Sequence, residues 1–256
     1  MAESRDTGIV TAAILIIGDE ILSGRTKDKN TGYIAEYLTA IGIDLREVRV
    51  VPDVEEEIVA ALNALRSRYT HVFTTGGIGP THDDITADAV AKAFGVAIDV
   101  DQRAVDMLLE RMKPEDLNEA RLRMARIPAG GSLIANSVSK APGFTIGNVH
   151  VMAGVPSIMH AMLDAVAPTL ATGRKMLSRS IDAGLKEGDI GGPLAALQKQ
   201  FPDVAMGSYP GFEEGVGFKT TLVLRSRDEA RLGEAAAAVE AMLEEVRRTL
   251  GATPTR

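Results

Sequence analysis

The segment Gly76-Gly77-Ile78-Gly79-Pro80-Thr81-His82-Asp83-Asp84-Ile85-Thr86 follows directly on the apolar run His71-Val72-Phe73-Thr74-Thr75. Three glycines in four residues cannot sustain a strand or a helix. They suit a tight loop whose backbone N–H groups come close to a ligand. Asp83 and Asp84 then precede Ile85-Thr86-Ala87-Asp88-Ala89-Val90, which reads as the start of a helix. Strand, glycine loop and helix N-terminus form a layout that receives phosphate, because free N–H groups and the helix dipole both favour an anion. Carboxylates beside phosphate repel it unless a hard divalent cation lies between them. The segment therefore points to a metal-assisted nucleotide or phosphate site. The competing reading is a plain strand-to-helix turn with Asp84 as the cap. No Gly-Lys-Ser/Thr follows, and the glycine spacing is not G-x-G-x-x-G.

Working outward, Thr11 to Ile17 is a continuous apolar run that reads as a buried strand ending at Gly18-Asp19-Glu20. From Asn30 the periodicity turns helical through Ile34, Leu38 and Ile41, with Gly42 as the stop. A strand over about 43–51 follows. Pro52-Asp53 then opens a helix carrying Ile58, Leu62 and Leu65, and Asp53 with Glu56 has the form of a capping box. The strand at His71–Thr75 and a helix ending near Phe94-Gly95 make a third β-α unit. This alternation predicts a three-layer α/β/α protein with a mostly parallel sheet. Asp101–Lys113 and Pro114–Arg126 read as two helices, and Ser132–Gly147 as a hairpin at a sheet edge. Val149–Met152 is a further strand, Ala153-Gly154-Val155-Pro156-Ser157 a second glycine turn, and Ile158–Leu170 a helix. Both glycine turns then fall at the C-terminal edge of one sheet, where open α/β sheets bind ligands.

The character changes around Ala171-Thr172-Gly173, which divides the chain into domains over 1–172 and 173–256. The second reads as a small βαββα, α+β domain. Its Gly207-Ser208-Tyr209-Pro210-Gly211 reads as a turn, and its Ala-rich last helix as packing or dimer surface, so a homo-oligomer is expected.

Composition narrows the class. The 256 residues are 45% hydrophobic with no Trp, so the core is aliphatic. There is no Cys, which excludes disulfides, thiolate metal sites and cysteine nucleophiles and suits a reducing compartment. The net charge of −7 argues against a general nucleic-acid binder. Met1–Thr7 is polar, without the apolar core of a signal peptide, and nothing approaches a membrane span. A cytoplasmic protein with a small-molecule ligand, no nucleic acid and no membrane is the expectation.

Three stretches together resemble the molybdopterin-binding (MoCF) family: Ile17-Gly18-Asp19-Glu20-Ile21-Leu22-Ser23-Gly24 with Asp28 and Asn30; Val51-Pro52-Asp53 with the Thr75–Thr86 run; and Gly154-Val155-Pro156-Ser157. The family includes molybdopterin adenylyltransferases, the N-terminal domain of competence/damage-inducible protein A and the molybdopterin-binding-like domain of FAD synthase, and the likeness is greatest to the last two. The resemblance implies that Asp53 and Asp84 are essential acids holding a divalent cation, Mg, Mn or Co. It implies that Gly76, Gly77 and Gly79 line a phosphate or pterin pocket and that Thr86 adds a hydroxyl. Gly18, Asp19 and Glu20 would form the opposite wall, and Gly154 and Ser157 belong to the third matching stretch. Mg²⁺ takes oxygen ligands and often only one or two carboxylates plus substrate phosphates, so these roles are chemically coherent. Ile78 stands where the adenylyltransferases typically carry Thr, and Met152-Ala153-Gly154 replaces the usual Leu-Pro-Gly.

Two functions follow as expectations. One is a metal-dependent nucleotide pyrophosphatase acting on ADP-ribose or FAD, with water oriented by the metal and by Asp84 or Asp83. The other is a protein that binds or adenylylates molybdopterin. His82 is the histidine placed for base or metal-ligand work; His71 and His150, in strands, read as structural, as does His160. Arg25 and Lys27 are placed either to meet phosphate or to stay solvated.

Overall fold

A computed structural model describes residues 8–213 and 217–251; the polar segment Met1–Thr7 lies outside them. The chain forms two compact units, 1–174 and 175–256. The first opens with β1 (Val10–Ile17), α1 (Asp19–Leu22), α2 (Asn30–Ala40), β2 (Ile43–Val51), α3 (Glu55–Arg66), β3 (His71–Thr75) and α4 (Thr86–Phe94). It continues with β4 (Ile98–Val100), α5 (Gln102–Leu109), α6 (Glu119–Leu122), β5 (Arg126–Pro128), β6 (Ser132–Ile134), β7 (Gly143–Ile146), β8 (Val149–Met152) and α7 (Pro156–Val166).

Its six-stranded sheet runs in the order β2-β1-β3-β8-β7-β6. The first four strands are parallel, and β7 and β6 are antiparallel. The continuous apolar run of β1 is explained by burial on both faces. Ala13, Leu15 and Ile17 pack with α3, α4 and α5, while Ala12, Ile14 and Ile16 pack with α2 and α7. After β1 the chain crosses to β2 on one side and then to β3 on the other. The C-terminal ends of β1 and β3 therefore flank a topological switch point, where such sheets open a crevice. Because β7 runs against β8, with Phe144 opposite Val151, the 135–142 connection lies at this same edge.

One stretch departs from its helical pattern. Over 114–126 the backbone makes a 3₁₀ turn at Pro114–Asp116, the single-turn α6, a second 3₁₀ turn and then β5. Leu117 leaves the helical region, and Asn118 restarts the helix by accepting from the Arg121 N–H. Apolar spacing alone hides that break.

The second unit contains β9 (Leu177–Asp182), α8 (Glu187–Gln200), β10 (Ala205–Glu213), β11 (Gly217–Ser226) and α9 (Glu229–Leu250). Its antiparallel sheet has the order β10-β11-β9. Leu222 and Leu224 pack with Ile190, Leu194 and Leu197 of α8 and with Leu232, Ala235 and Val239 of α9. The Gly207–Gly211 stretch is not a turn but part of β10, with Pro210 opposite Thr220. A proline is tolerated there because β10 is an edge strand.

Candidate functional site

The glycine loop after β3 is fixed by its own backbone. Gly76 has φ +103°, and a Cβ there would lie 2.1 Å from the Ile17 carbonyl oxygen, so only glycine fits between β1 and β3. Gly77 has φ +65°, and a Cβ on it would strike the Thr86 hydroxyl. That hydroxyl donates to the Gly76 carbonyl (3.0 Å), and the Thr86 N–H donates to the Gly77 carbonyl (3.0 Å). Thr86 is fully buried. It staples the loop to the first turn of α4, with its hydroxyl spent on the Gly76 carbonyl.

Neither aspartate of the expected pair caps the helix it precedes. Asp53 precedes α3, whose N-cap is Val54 with no side-chain cap bond. Its Oδ2 instead accepts the N–H of Asp19, the first residue of α1, at 2.9 Å and so ties the end of β2 to the end of β1. The capping box suggested by Asp53 and Glu56 is thus not formed. Asp84 precedes α4, whose N-cap Ile85 also lacks a side-chain bond. Its Oδ2 accepts from both the N–H (2.8 Å) and the hydroxyl of Thr81, folding the carboxylate against Gly79.

Electrostatics separate these acids. Burial raises the Asp53 pKa above the usual carboxylate range; the Asp19 N–H opposes that, and the charges of Asp19, Glu20 and Asp83 add to it. A cation in that acidic corner would relieve the repulsion. Among the described residues no three His, Asp or Glu side chains form a ready metal cage. A hard cation held in that corner would have to draw most of its oxygen ligands from water and ligand phosphates. Asp83 is exposed, and its carboxyl is held below its ordinary value chiefly by the nearby Thr81 side chain. His82 is 99% exposed, 3.9 Å from Asp83, and touches nothing that would orient it for catalysis.

The glycine loop separates two hollows. On the α2/α7 side lies a cleft of about 490 Å³, a volume suited to a small-molecule ligand. Glu20, Gly76 and Gly154 line it, together with Arg25, Lys27 and Lys29 from the loop before α2. Pro156 lines it as well, whereas Ser157 stays exposed outside the lining. The second glycine turn meets the first closely, since a Cβ on Gly154 would lie 3.3 Å from the Gly76 Cα. Asn30 joins the third loop to them by donating from Nδ2 to the Gly154 carbonyl at 2.8 Å. On the other side, Gly77, Gly79 and Asp84 border a cavity of about 20 Å³ with Asp88, Arg123 and Arg126, room for a single water. Arg126 pairs with Asp88 through two bonds, and an Arg123 Nη donates to the Asp84 carbonyl (3.3 Å). Sequence reasoning assigned no role to Lys29, Asn30 or Arg123; the Asp28-x-Asn30 spacing was the available signal for Asn30.

The strand histidines are paired internally. His71 Nε2 faces the Ala171 carbonyl (3.0 Å), so it carries the proton, and His71 Nδ1 accepts from His150 Nε2 (3.1 Å). His150 Nδ1 then accepts the Thr145 hydroxyl (3.0 Å). Burial pushes the His150 pKa down to about 3, with His71 adding to it, and burial also lowers His71.

A switch-point crevice on an α/β/α sheet, lined by two glycine turns and an acidic corner, defines a small-molecule-binding protein of the MoCF type. Residues 13–172 match the family model described as "Probable molybdopterin binding domain", and the chain belongs to that family. Residues 175–248 match the model described as "FAD synthase, middle domain". A crystal structure described as the protein CinA with unknown function, from Thermoplasma acidophilum, superposes with a TM-score of 0.60 at 35% identity. It covers 64% of this chain and 99% of that one. A protein from Pyrobaculum calidifontis is 35% identical over 211 residues, 78% of this chain and 80% of its own length. Another, from Pyrobaculum arsenaticum, is 35% identical over 216 residues, 80% and 82% respectively. Among the described residues no helix is long and apolar enough to cross a membrane.

Proposed function

We propose that the protein is a divalent-metal-dependent nucleotide pyrophosphatase acting on a substrate of the ADP-ribose or FAD type. The carrying observation is the charge division at the switch point. Arg25, Lys27 and Lys29 line the cleft, while Asp19, Glu20, Asp53 and Asp83 crowd one corner of the same edge. The cations hold the diphosphate, and bare Gly76 and Gly154 let the rest of the ligand lie against the backbone. Mg²⁺, Mn²⁺ or Co²⁺ at Asp53 and Asp84 would supply charge stabilisation for the leaving phosphate and lower the pKa of bound water. Asp84, clamped by Thr81, and Asp83 are the carboxylates placed to orient that water. That Asp84 caps no helix supports a chemical role for it.

A second reading, binding or adenylylation of molybdopterin, draws support from the family to which residues 13–172 belong. A hydrolysis screen of ADP-ribose, FAD, NAD and ATP against the three metals, with molybdopterin binding measured in parallel, separates the two. Metal-dependent turnover of a dinucleotide supports the first. Undiminished turnover in excess chelator removes the metal role, and binding of molybdopterin without turnover of any dinucleotide favours the second.

A further inference from the structure

Asn30 is 5% exposed and lines the cleft from the first turn of α2. Its amide orientation is fixed, because the Gly154 carbonyl accepts only from Nδ2. The oxygen Oδ1 therefore faces the other way, and it is buried without any hydrogen-bond partner. A buried acceptor left unpaired is costly and uncommon. Nothing in Asn30's clip on Gly154 requires it, since the clip uses the nitrogen alone. The surrounding cleft is lined by Ile16, Ile17, Ile21 and Pro156 and by the bare faces of Gly76 and Gly154. Apolar walls and side-chain-free backbone suit a flat ring, and the missing element at Asn30 is a donor.

We infer that Asn30 is a specificity-determining residue: its Oδ1 accepts an N–H from the exocyclic amino group of a nitrogen heterocycle, adenine or pterin. The ring enters the apolar floor, and the phosphates remain at the cationic mouth formed by the segment 25–29. Because Oδ1 is shielded from solvent, the ring reaches it only as the cleft lining opens around Asn30. The inference rests on the cleft being the ligand site proposed above, and it adds which chemical feature of the ligand is read.

The test is equilibrium binding by calorimetry to the full chain. ADP-ribose is compared with its hypoxanthine counterpart and with its N6,N6-dimethyl counterpart, and pterin-6-carboxylate with lumazine-6-carboxylate. The wild-type protein should prefer the amino-bearing member of at least one series by about ten-fold, the effect of leaving one buried acceptor unpaired. The series that shows the preference identifies the ring. Asn30→Leu, which keeps the branched shape but removes both the acceptor and the Nδ2 clip on Gly154, should bring that ratio close to one, and Asn30→Ala, likewise without an acceptor, serves if the first variant does not fold. Equal binding of amino and oxo members by wild type overturns the inference and leaves the pyrophosphatase reading standing. So does full tolerance of the dimethyl ligand, which requires no variant. A ratio unchanged in a folded Asn30 variant overturns it as well. Binding of none of these ligands removes the cleft as a ligand site, and both readings fall together.

Discussion

The first unit holds two kinds of poorly solvated polar group, one on the neighbouring strands β3 and β8 and one at the C-terminal edge of the sheet, and the contrast is instructive. In the His71–His150 pair every ring nitrogen has a partner, so burial there is structurally complete. At the C-terminal edge, Asp53 carries a raised pKa among like charges, and Asn30 buries an oxygen with no partner. Both places are polar and poor in solvent. The first is closed and explained by the fold. The second is incomplete, and incompleteness at a buried polar group is where a ligand has something to add.

The largest effect that would break this contrast is expected at Gly76. Gly76→Ala drives a Cβ into the Ile17 carbonyl in a left-handed backbone. The backbone term alone costs about 1–3 kcal/mol, with the clash added to it. Thermal unfolding should show a large fall in Tm and calorimetry a loss of nucleotide binding. An unperturbed Tm would show that the loop relaxes freely and that its shape is not imposed by β1.

Next comes Asp84→Asn. Since Asp84 caps nothing and the substitution preserves volume, Tm should hold while kcat falls about 10²-fold or more. A retained rate with a lowered Tm would move Asp84 into the closed, structural class beside the histidines.

The histidine pair itself predicts a pH dependence of opposite origin. Both folded pKa values lie below the unfolded value near 6.5. The unfolded chain therefore binds protons that the native one refuses. The stabilisation is complete above about pH 6.5 and is lost as pH falls toward the depressed folded values, at up to about 1.4 kcal/mol per pH unit per proton. Denaturant titrations between pH 7 and pH 4 should show this slope, and His150→Gln should reduce it. An unchanged slope in that variant would assign the acid sensitivity to other groups.

The smallest effect is expected at Thr86. Thr86→Val removes the hydroxyl bond to Gly76 at nearly constant volume and should cost about 1 kcal/mol. Thr86→Ser should retain most of that. If instead Thr86→Val abolishes activity with little change in stability, the hydroxyl works on a ligand after all.

Much of the architecture was legible because the physics is local. The glycines at 76, 77 and 79, the alternating β-α units and the Ser132–Gly147 hairpin all announce themselves through backbone freedom or periodicity. The βαββα order of the small domain is equally plain. Other features were invisible for an identifiable reason. Whether Asp53 caps its own helix or reaches Asp19 depends on a contact between residues 34 apart in sequence. The pairing of His71 with His150 spans 79 residues. The break at Leu117 is a single backbone dihedral inside otherwise helical spacing. Asn30 stands out in sequence only through its spacing from Asp28, and its unpaired oxygen exists only once Gly154 has taken the nitrogen.

The reversal of β7 has a consequence for engineering. A parallel strand at that position would have turned the 135–142 connection toward the opposite end of the sheet. Running backwards, it delivers Asn136–Pro142 to the ligand edge. Its shape is held internally by Asn136, whose amide bonds to Val138, Ser139 and Ala141. The loop is thus braced by Asn136 from within and by the Lys140–Glu110 ion pair from outside, and its tip at Val138 is exposed. Its sequence can be varied between Asn136 and Ala141 without touching the glycine turns, which makes it the natural place to graft a new ligand preference onto this scaffold.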